Sequence, residues 1–460
     1  MRPLPLAALG LLALSHGAIA RAAEAKEDAP GDRYEFTAYG ETYVEVFRRA
    51  LLPGAAGSIV ETDTALPIHQ YLQLRVRDLD TGWQKDAIDV ELSAFGRVWP
   101  TDVDLERRLD GDVQTANVGY RQGGFQLRLG RQVRAGGAAR YVRFDGLSLG
   151  LRLAAGLEIE GYGGLTALPR FDGRPGYHHL GAAQDSLLRD PNVLPEPNRT
   201  GYRLAGARIG YRSSKAGIGV SFHEQHEADE LAHRNLGADG RLDAIKDLSL
   251  VGAAVFDLDA TDVADARLWA DFAATHNVDF AAEYLHAVPS LYLSRQSVLS
   301  VFSTDAYDEV GGRLTVRPMR GLSLDGGSWV NFYDASERGA RGQVGARLIP
   351  DAAKTTVIGI GYTRLVAARN GYHAMRATLS QQLVRALRGT LEAHAFFYDE
   401  EIQSRQTSTV YAGSLGYDVS RSLNLLWGAS VAQSPYAALD AQTLVRASYV
   451  FDASSNGGAP

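Results

Sequence analysis

Residues 86–99 read Asp-Ala-Ile-Asp-Val-Glu-Leu-Ser-Ala-Phe-Gly-Arg-Val-Trp. Ile88, Val90, Leu92 and Ala94 fall on one parity, and Asp89, Glu91 and Ser93 on the other. Successive side chains of a strand point to opposite faces, so this order gives one apolar and one wet face. A helix would instead group its apolar residues three and four apart. The stretch is a half-exposed strand.

The same period recurs along the chain. Leu72, Leu74 and Val76 oppose Tyr71, Gln73, Arg75 and Arg77, while Phe125, Leu127 and Leu129 alternate with Gln126, Arg128 and Gly130. Val310, Leu314 and Val316 alternate with Glu309, Arg313 and Thr315, and Val344, Ala346 and Leu348 with Gln343, Gly345 and Arg347. Val445, Ala447, Tyr449 and Phe451 oppose Arg446 and Ser448. Many runs extend to about 10–13 residues. Soluble strands average about 5–6 residues, whereas a tilted membrane strand needs about 9–11. Inside lipid every backbone N–H and C=O must be paired within the protein, which strands achieve only as a closed barrel. The expected fold is therefore all-β: a transmembrane antiparallel barrel.

Twenty-one segments carry the pattern: 33–46, 68–79, 86–98, 112–121, 124–134, 141–153, 157–167, 201–212, 216–226, 246–258, 263–274, 277–287, 307–317, 320–333, 339–349, 354–365, 371–382, 388–399, 408–419, 421–432 and 441–452. Bacterial single-chain barrels use even numbers. About 18 strands are expected, with 16 to 22 tolerated, and miscounts are looked for near 112–121, 258–277 and 288–306. The stretches 168–200, 227–245, 288–306 and 400–407 read as longer loops. Prolines fall between the runs, as a fully paired sheet demands, and glycines within the runs suit strong curvature and an open lumen. Tyr34, Phe36, Trp99, Tyr162, Phe332, Tyr333, Phe396, Phe397 and Tyr398 fall near run ends, as interfacial girdles do.

The N-terminus adds an address. Arg2 precedes a short apolar run, Leu4 to Leu14, and small residues follow at Ala18-Ile19-Ala20 and Ala22-Ala23. This is the layout of a cleaved secretory signal, too short and too interrupted for a spanning helix. The expected organisation is a signal peptide over 1–23, a short periplasmic leader over 24–32, the barrel over 33–452 and a tail over 453–460. The expected location is the outer membrane of a Gram-negative cell, among its lipids and lipopolysaccharide. With no cysteine, disulfides, thiol nucleophiles, thiolate metal sites and a lipoprotein acyl anchor are excluded.

Net charge is −7, with 47 basic residues. Nearly all are arginine, whose planar fork suits carboxylates and phosphates, but no basic block suggests nucleic acid. His223-Glu224-Gln225-His226-Glu227 ends a strand run, so it lacks the helical frame of a zinc protease. His178-His179 and the aspartates Asp257, Asp259, Asp262 and Asp265 read as solvated turns before they read as metal ligands. No nucleophile elbow, phosphate loop or cofactor motif is present. No enzymatic role and no cofactor is expected.

The densest local signal is Leu127-Arg128-Leu129-Gly130-Arg131-Gln132 followed by Arg140-Tyr141-Val142-Arg143-Phe144-Asp145-Gly146-Leu147. This pair resembles the alginate-export-type outer-membrane barrels, over about 30 residues. The resemblance implies an 18-stranded barrel that passes an acidic exopolysaccharide through an arginine-rich pore, with Arg128, Arg131, Arg143 and Asp145 lining it. Parity objects at two positions, since Arg131 shares a face with Leu129 and Arg143 with Leu147. Either a bulge resets the register or both lie beyond the membrane band. Further pore-lining candidates are Arg75, Arg77, Arg152, Arg208, Arg313, Arg347, Asp89 and Glu91. The arginines could equally serve as wall-stiffening partners of Asp89, Glu91 and Glu158. The expected function is passive export of an exopolysaccharide with a periplasmic synthesis or export partner. The alternatives are an uptake porin for small anions or sugars, and a non-transporting barrel such as an adhesin or scaffold.

Overall fold

A computed structural model describes residues 34–51, 64–79, 86–98, 109–167, 201–227, 229–292, 306–333, 337–353, 355–367, 370–435 and 437–454. The expected signal peptide and leader, the 168–200 stretch with His178-His179 and most of the C-terminal tail lie outside these residues.

The barrel strands are Glu35–Leu51, Ile68–Leu79, Asp86–Val98, Leu109–Gln122, Phe125–Ala135, Tyr141–Arg152, Leu157–Thr166, Arg203–Arg212, Ala216–Glu227, Glu230–Ile245, Leu248–Asp257, Asp262–Thr275, Val278–Ala287, Tyr307–Met319, Leu322–Tyr333, Arg338–Leu348, Thr356–Val366, Tyr372–Val384, Leu387–Ile402, Arg405–Asp418, Leu423–Gln433 and Ala437–Ser454. Each pairs antiparallel with the next. The first and last close the sheet, in register from Glu35↔Ser454 to Arg49↔Asp440. A two-residue segment, Thr64–Ala65, adds a pairing to the first strand. Among the described residues the barrel thus has 22 strands, more than the roughly 18 expected and at the upper bound of the tolerated 16 to 22, and the number is even.

The strand absent from the twenty-one segments is Glu230–Ile245, which reads as loop in the sequence. Its outward residues are Leu236, Ala238, Gly240 and Leu242, and its inward ones include Asn235, Asp239 and Arg241. Ala and Gly on the apolar parity leave little hydrophobic contrast, so the alternation is faint. Residues 400–407 are likewise mostly strand, with the turn confined to Gln403-Ser404. The segments near 112–121 and 258–277 are strands in their own right. Pro318 sits where the pairing shifts register between Val316 and Met319, at a strand end where its missing N–H does least harm.

Connections differ between the two ends. At one end the turns are tight, as at Gly123-Gly124, Lys246-Asp247 and Arg320-Gly321. Positive φ at Gly123, Asp247 and Gly321 supplies the backbone twist that two-residue hairpins require. The other end carries the longer connections. Near it the interior holds a buried cluster of Ala139, Val142, Phe144 and Leu204, with Tyr162 against it. Among the described residues no helix is long and apolar enough to cross a membrane.

Candidate functional site

The alternation gives the barrel two unlike surfaces. On the outer parity Leu129, Ile218, Ile360 and Leu391 each expose more than 60% of their surface, with no protein packed over them. On the opposite parity, polar side chains reach across strands to one another. Arg75 donates to Glu91 at 3.1 Å. Arg121 bridges Asp89 and Asp78 at 2.7 Å each. Arg152 meets Glu158 at 2.9 Å, and Arg208 meets Asp239 at 2.6 Å. Arg134 pairs with Glu160 while lying over the Tyr162 ring. Such networks keep charges hydrogen-bonded where water is scarcer. The inner wall is lined with ion pairs.

Nine of the twelve expected lining residues fall on this inward parity: Arg75, Arg77, Arg128, Arg152, Arg208, Arg313, Arg347, Asp89 and Glu91. They do not converge on one spot but ring the wall. Arg128, Arg77, Arg313 and Arg347 make no ion pair among the described residues. Arg313 instead lies 6.0 Å from the Trp269 ring centroid.

Arg131, Arg143 and Asp145 behave differently. The strands Phe125–Ala135 and Tyr141–Arg152 pair without a register shift from Phe125↔Leu151 to Ala135↔Tyr141. No bulge in that hairpin resets the parity, and all three remain on the parity of Leu129 and Leu147. They form a cluster toward the longer-loop end. Arg131 donates to both carboxylate oxygens of Asp145 at 2.7 and 2.8 Å. Asp112 accepts from Arg131 at 3.4 Å and is ion-paired with Arg143 at 2.6 Å. The bidentate geometry joins neighbouring strands. Their ion pairs tie neighbouring strands together on the parity opposite to the inward ring.

Between them the chain turns into the barrel. Gly137–Ala139 form a single 3-10 turn, and Ala138 is fully buried. The Ala138 N–H donates to Ser221 Oγ at 2.8 Å, and Asn235 Nδ2 donates to the Ala138 carbonyl at 3.2 Å. Ser221 and Asn235 belong to Ala216–Glu227 and Glu230–Ile245, so the loop passes over two intervening strands along the inner wall. Arg140 extends further and donates to the Leu291 carbonyl at 2.9 Å. The turn thus lies inside the barrel, against its wall.

The histidine motif splits as a strand must. His223 is buried inward, its Nδ1 3.1 Å from the Tyr162 hydroxyl, while Glu224 pairs with His226 and Arg234 at 2.9 Å. Asp257 caps its own turn, accepting from the N–H groups of Asp259 and Ala260. Among the described residues no group of three or more potential ligands could hold a metal ion.

Sequence reasoning did not single out the inward aromatics Trp269, Trp329 and Tyr372, and it assigned Phe396 to an interfacial girdle, whereas the pairing register turns Phe396 inward. Trp329 donates to Glu283 at 3.2 Å and lies under Arg341, 4.3 Å from its ring centroid. Only the pairing register brings these partners together, because they are far apart in sequence.

No protein-family model matches the sequence, and no curated protein matches it either. Among solved structures, the P pilus usher (PapC) translocation pore is similar at 9% identity and TM-score 0.47, over 90% of this chain and 99% of that one. A mutant ferric enterobactin receptor (PfeA) from Pseudomonas aeruginosa gives 9% identity and TM-score 0.48, over 93% and 81%. The outer membrane protein opdK of the same organism gives 10% identity and TM-score 0.39, over 91% and 99%. What this chain does follows from its own residues.

Proposed function

We propose that the protein is an outer-membrane channel through which a hydrophilic solute diffuses. The observation that carries this reading is the sorting of the wall: exposed Leu, Val and Ile on one parity, cross-strand Arg–carboxylate pairs on the other. A closed sheet with a greasy exterior is at home in lipid, and a polar interior of 22 strands admits water. The belt would contact outer-membrane lipids and lipopolysaccharide, after export through the N-terminal signal.

The cargo we favour is an exopolysaccharide, leaving passively and delivered by a periplasmic synthesis or export partner. Polar groups spread around the wall would hold such a chain weakly at many places, which favours movement over trapping. The hairpin resemblance supports this reading through Arg128, the one member of its arginine set on the inward parity. Arg128, Arg313 and Arg347, free of carboxylates among the described residues, favour a second reading as an uptake porin for small anions. A sealed, non-transporting barrel is the third.

Planar-bilayer recording tests the proposal. The purified protein is expected to open steady conductance with anion preference. Arg128→Glu and Arg347→Glu should each lower that preference, whereas Arg143→Glu should leave it unchanged. A protein that inserts but conducts no ions would overturn the channel reading.

A further inference from the structure

The strands from Leu322–Tyr333 to Leu387–Ile402 enclose a hollow on the inner wall with a volume of about 510 Å³. Its sides carry Asp325, Gln343, Tyr372, Arg376, His394 and Phe396. Its floor is glycine. A Cβ at Gly345 would come within 2.7 Å of the Asp325 carboxylate, and one at Gly359 would strike the Thr378 hydroxyl. These small residues keep the hollow open beneath its polar rim.

Two kinds of surface meet there. Tyr372 and Phe396 pack edge to face, with ring centroids 5.7 Å apart and an interplanar angle of 68°. His394 lies parallel to Phe396 at 6.4 Å and 10°. Tyr372 and Phe396 are half-buried, so part of each ring is open to the lumen. Beside them Arg376 is held by Glu392 at 2.9 Å, and His394 contacts the same carboxylate. With Asp325 opposite, donors and acceptors of both signs are present and the positive charge is compensated. A small anion would gain little here.

A pyranose fits both surfaces. Its C–H face is drawn to the negative face of an aromatic ring, and its hydroxyls both donate and accept. The volume lies within the roughly 300–1,000 Å³ of pockets that hold small organic ligands. We infer that this hollow is a carbohydrate subsite for a short neutral segment of a glycan, one unit stacking on Tyr372 and Phe396 and its neighbours hydrogen-bonding to Arg376, Gln343 and Asp325. The inference rests on the channel reading for its access route and deepens it by naming the cargo's chemistry.

The test adds a neutral malto-oligosaccharide to single channels whose open current in salt has been recorded. Wild-type protein should show brief current interruptions. Phe396→Ala should shorten them about tenfold, the equivalent of about 1.4 kcal/mol. Phe396→Leu, which keeps the bulk but not the ring, should do nearly the same. Heat-modifiable gel mobility identifies the folded variants. Open current without interruptions, or interruptions unchanged in both Phe396 variants, overturns the subsite and leaves the channel standing. An oligouronate that blocks more strongly and ignores Phe396 also overturns it. If no current flows, the channel reading fails, and calorimetry in detergent decides the subsite. Saturable malto-oligosaccharide binding that Phe396→Leu abolishes sustains it, and no binding ends it.

Discussion

Arg128 and Arg131 lie on the same strand, Phe125–Ala135, and the alternation sends them to opposite faces. Arg131 holds Asp145 with two hydrogen bonds and reaches Asp112. Arg128 makes no ion pair among the described residues. Losing one partner of a charged hydrogen bond leaves the other carboxylate poorly paired, which costs about 1–3 kcal/mol. Arg131→Met should therefore lower stability by that amount in a urea titration, while Arg128→Met should change it little. Equal effects of the two would contradict the assignment. A second residue gives a pH signature outside the strands. Asp351 accepts from the Thr355 hydroxyl and N–H at 2.6 Å each and from the Thr356 N–H at 2.9 Å. Chiefly the Thr355 hydroxyl, and then these N–H groups, hold its carboxyl down at about 2. Because the folded value is depressed below the usual 3.8, the carboxylate supports the turn above pH 3.8 and that support fades as pH falls through about 2. Carboxyl NMR of Asp351 should show titration near 2. A midpoint near 4 would mean the turn does not form as described.

At the scale of elements, Glu230–Ile245 and the 136–140 loop carry the sharpest expectations. Leu236 is an exposed outward residue midway along its strand. A charge on the lipid face at mid-depth costs about 2–4 kcal/mol, so Leu236→Arg should destabilise the folded barrel by that amount. If these residues were instead a solvated loop, as their faint pattern suggested, the substitution would be neutral. Deleting Gly137–Ala139 removes the turn that lies against Ser221 and Asn235, and single-channel conductance should rise. Unchanged conductance would show that the turn does not narrow the path. Most strands were legible because Val, Leu and Ile stand on one parity for the length of a membrane crossing. Glu230–Ile245 was not, because Ala238 and Gly240 carry its outer face. The inward turn left no mark beyond Gly136-Gly137, since its partners, Ser221 and Asn235, lie far along the chain. Parity sets Arg131 and Arg143 on the face of Leu129 and Leu147, and the unbroken hairpin register keeps them there.

For the molecule as a whole, the closed sheet explains how so many arginines coexist with a net charge of −7. Cross-strand carboxylates neutralise Arg75, Arg121, Arg152 and Arg208 within the wall, leaving a mixed interior instead of a strongly basic one. The lumen's polarity was legible from alternation alone. Its aromatic hollow was not, because Tyr372 and Phe396 meet only through a pairing register that sequence spacing does not specify. A channel role requires that the two faces of the wall meet different media. The most direct test reconstitutes single-cysteine variants along Arg338–Leu348 in lipid vesicles and labels them with a membrane-impermeant maleimide. Strong labelling is expected at 343 and 347 and protection at 344 and 346. Equal labelling on both parities would mean that no lipid covers the apolar face, and the barrel would not be a membrane channel.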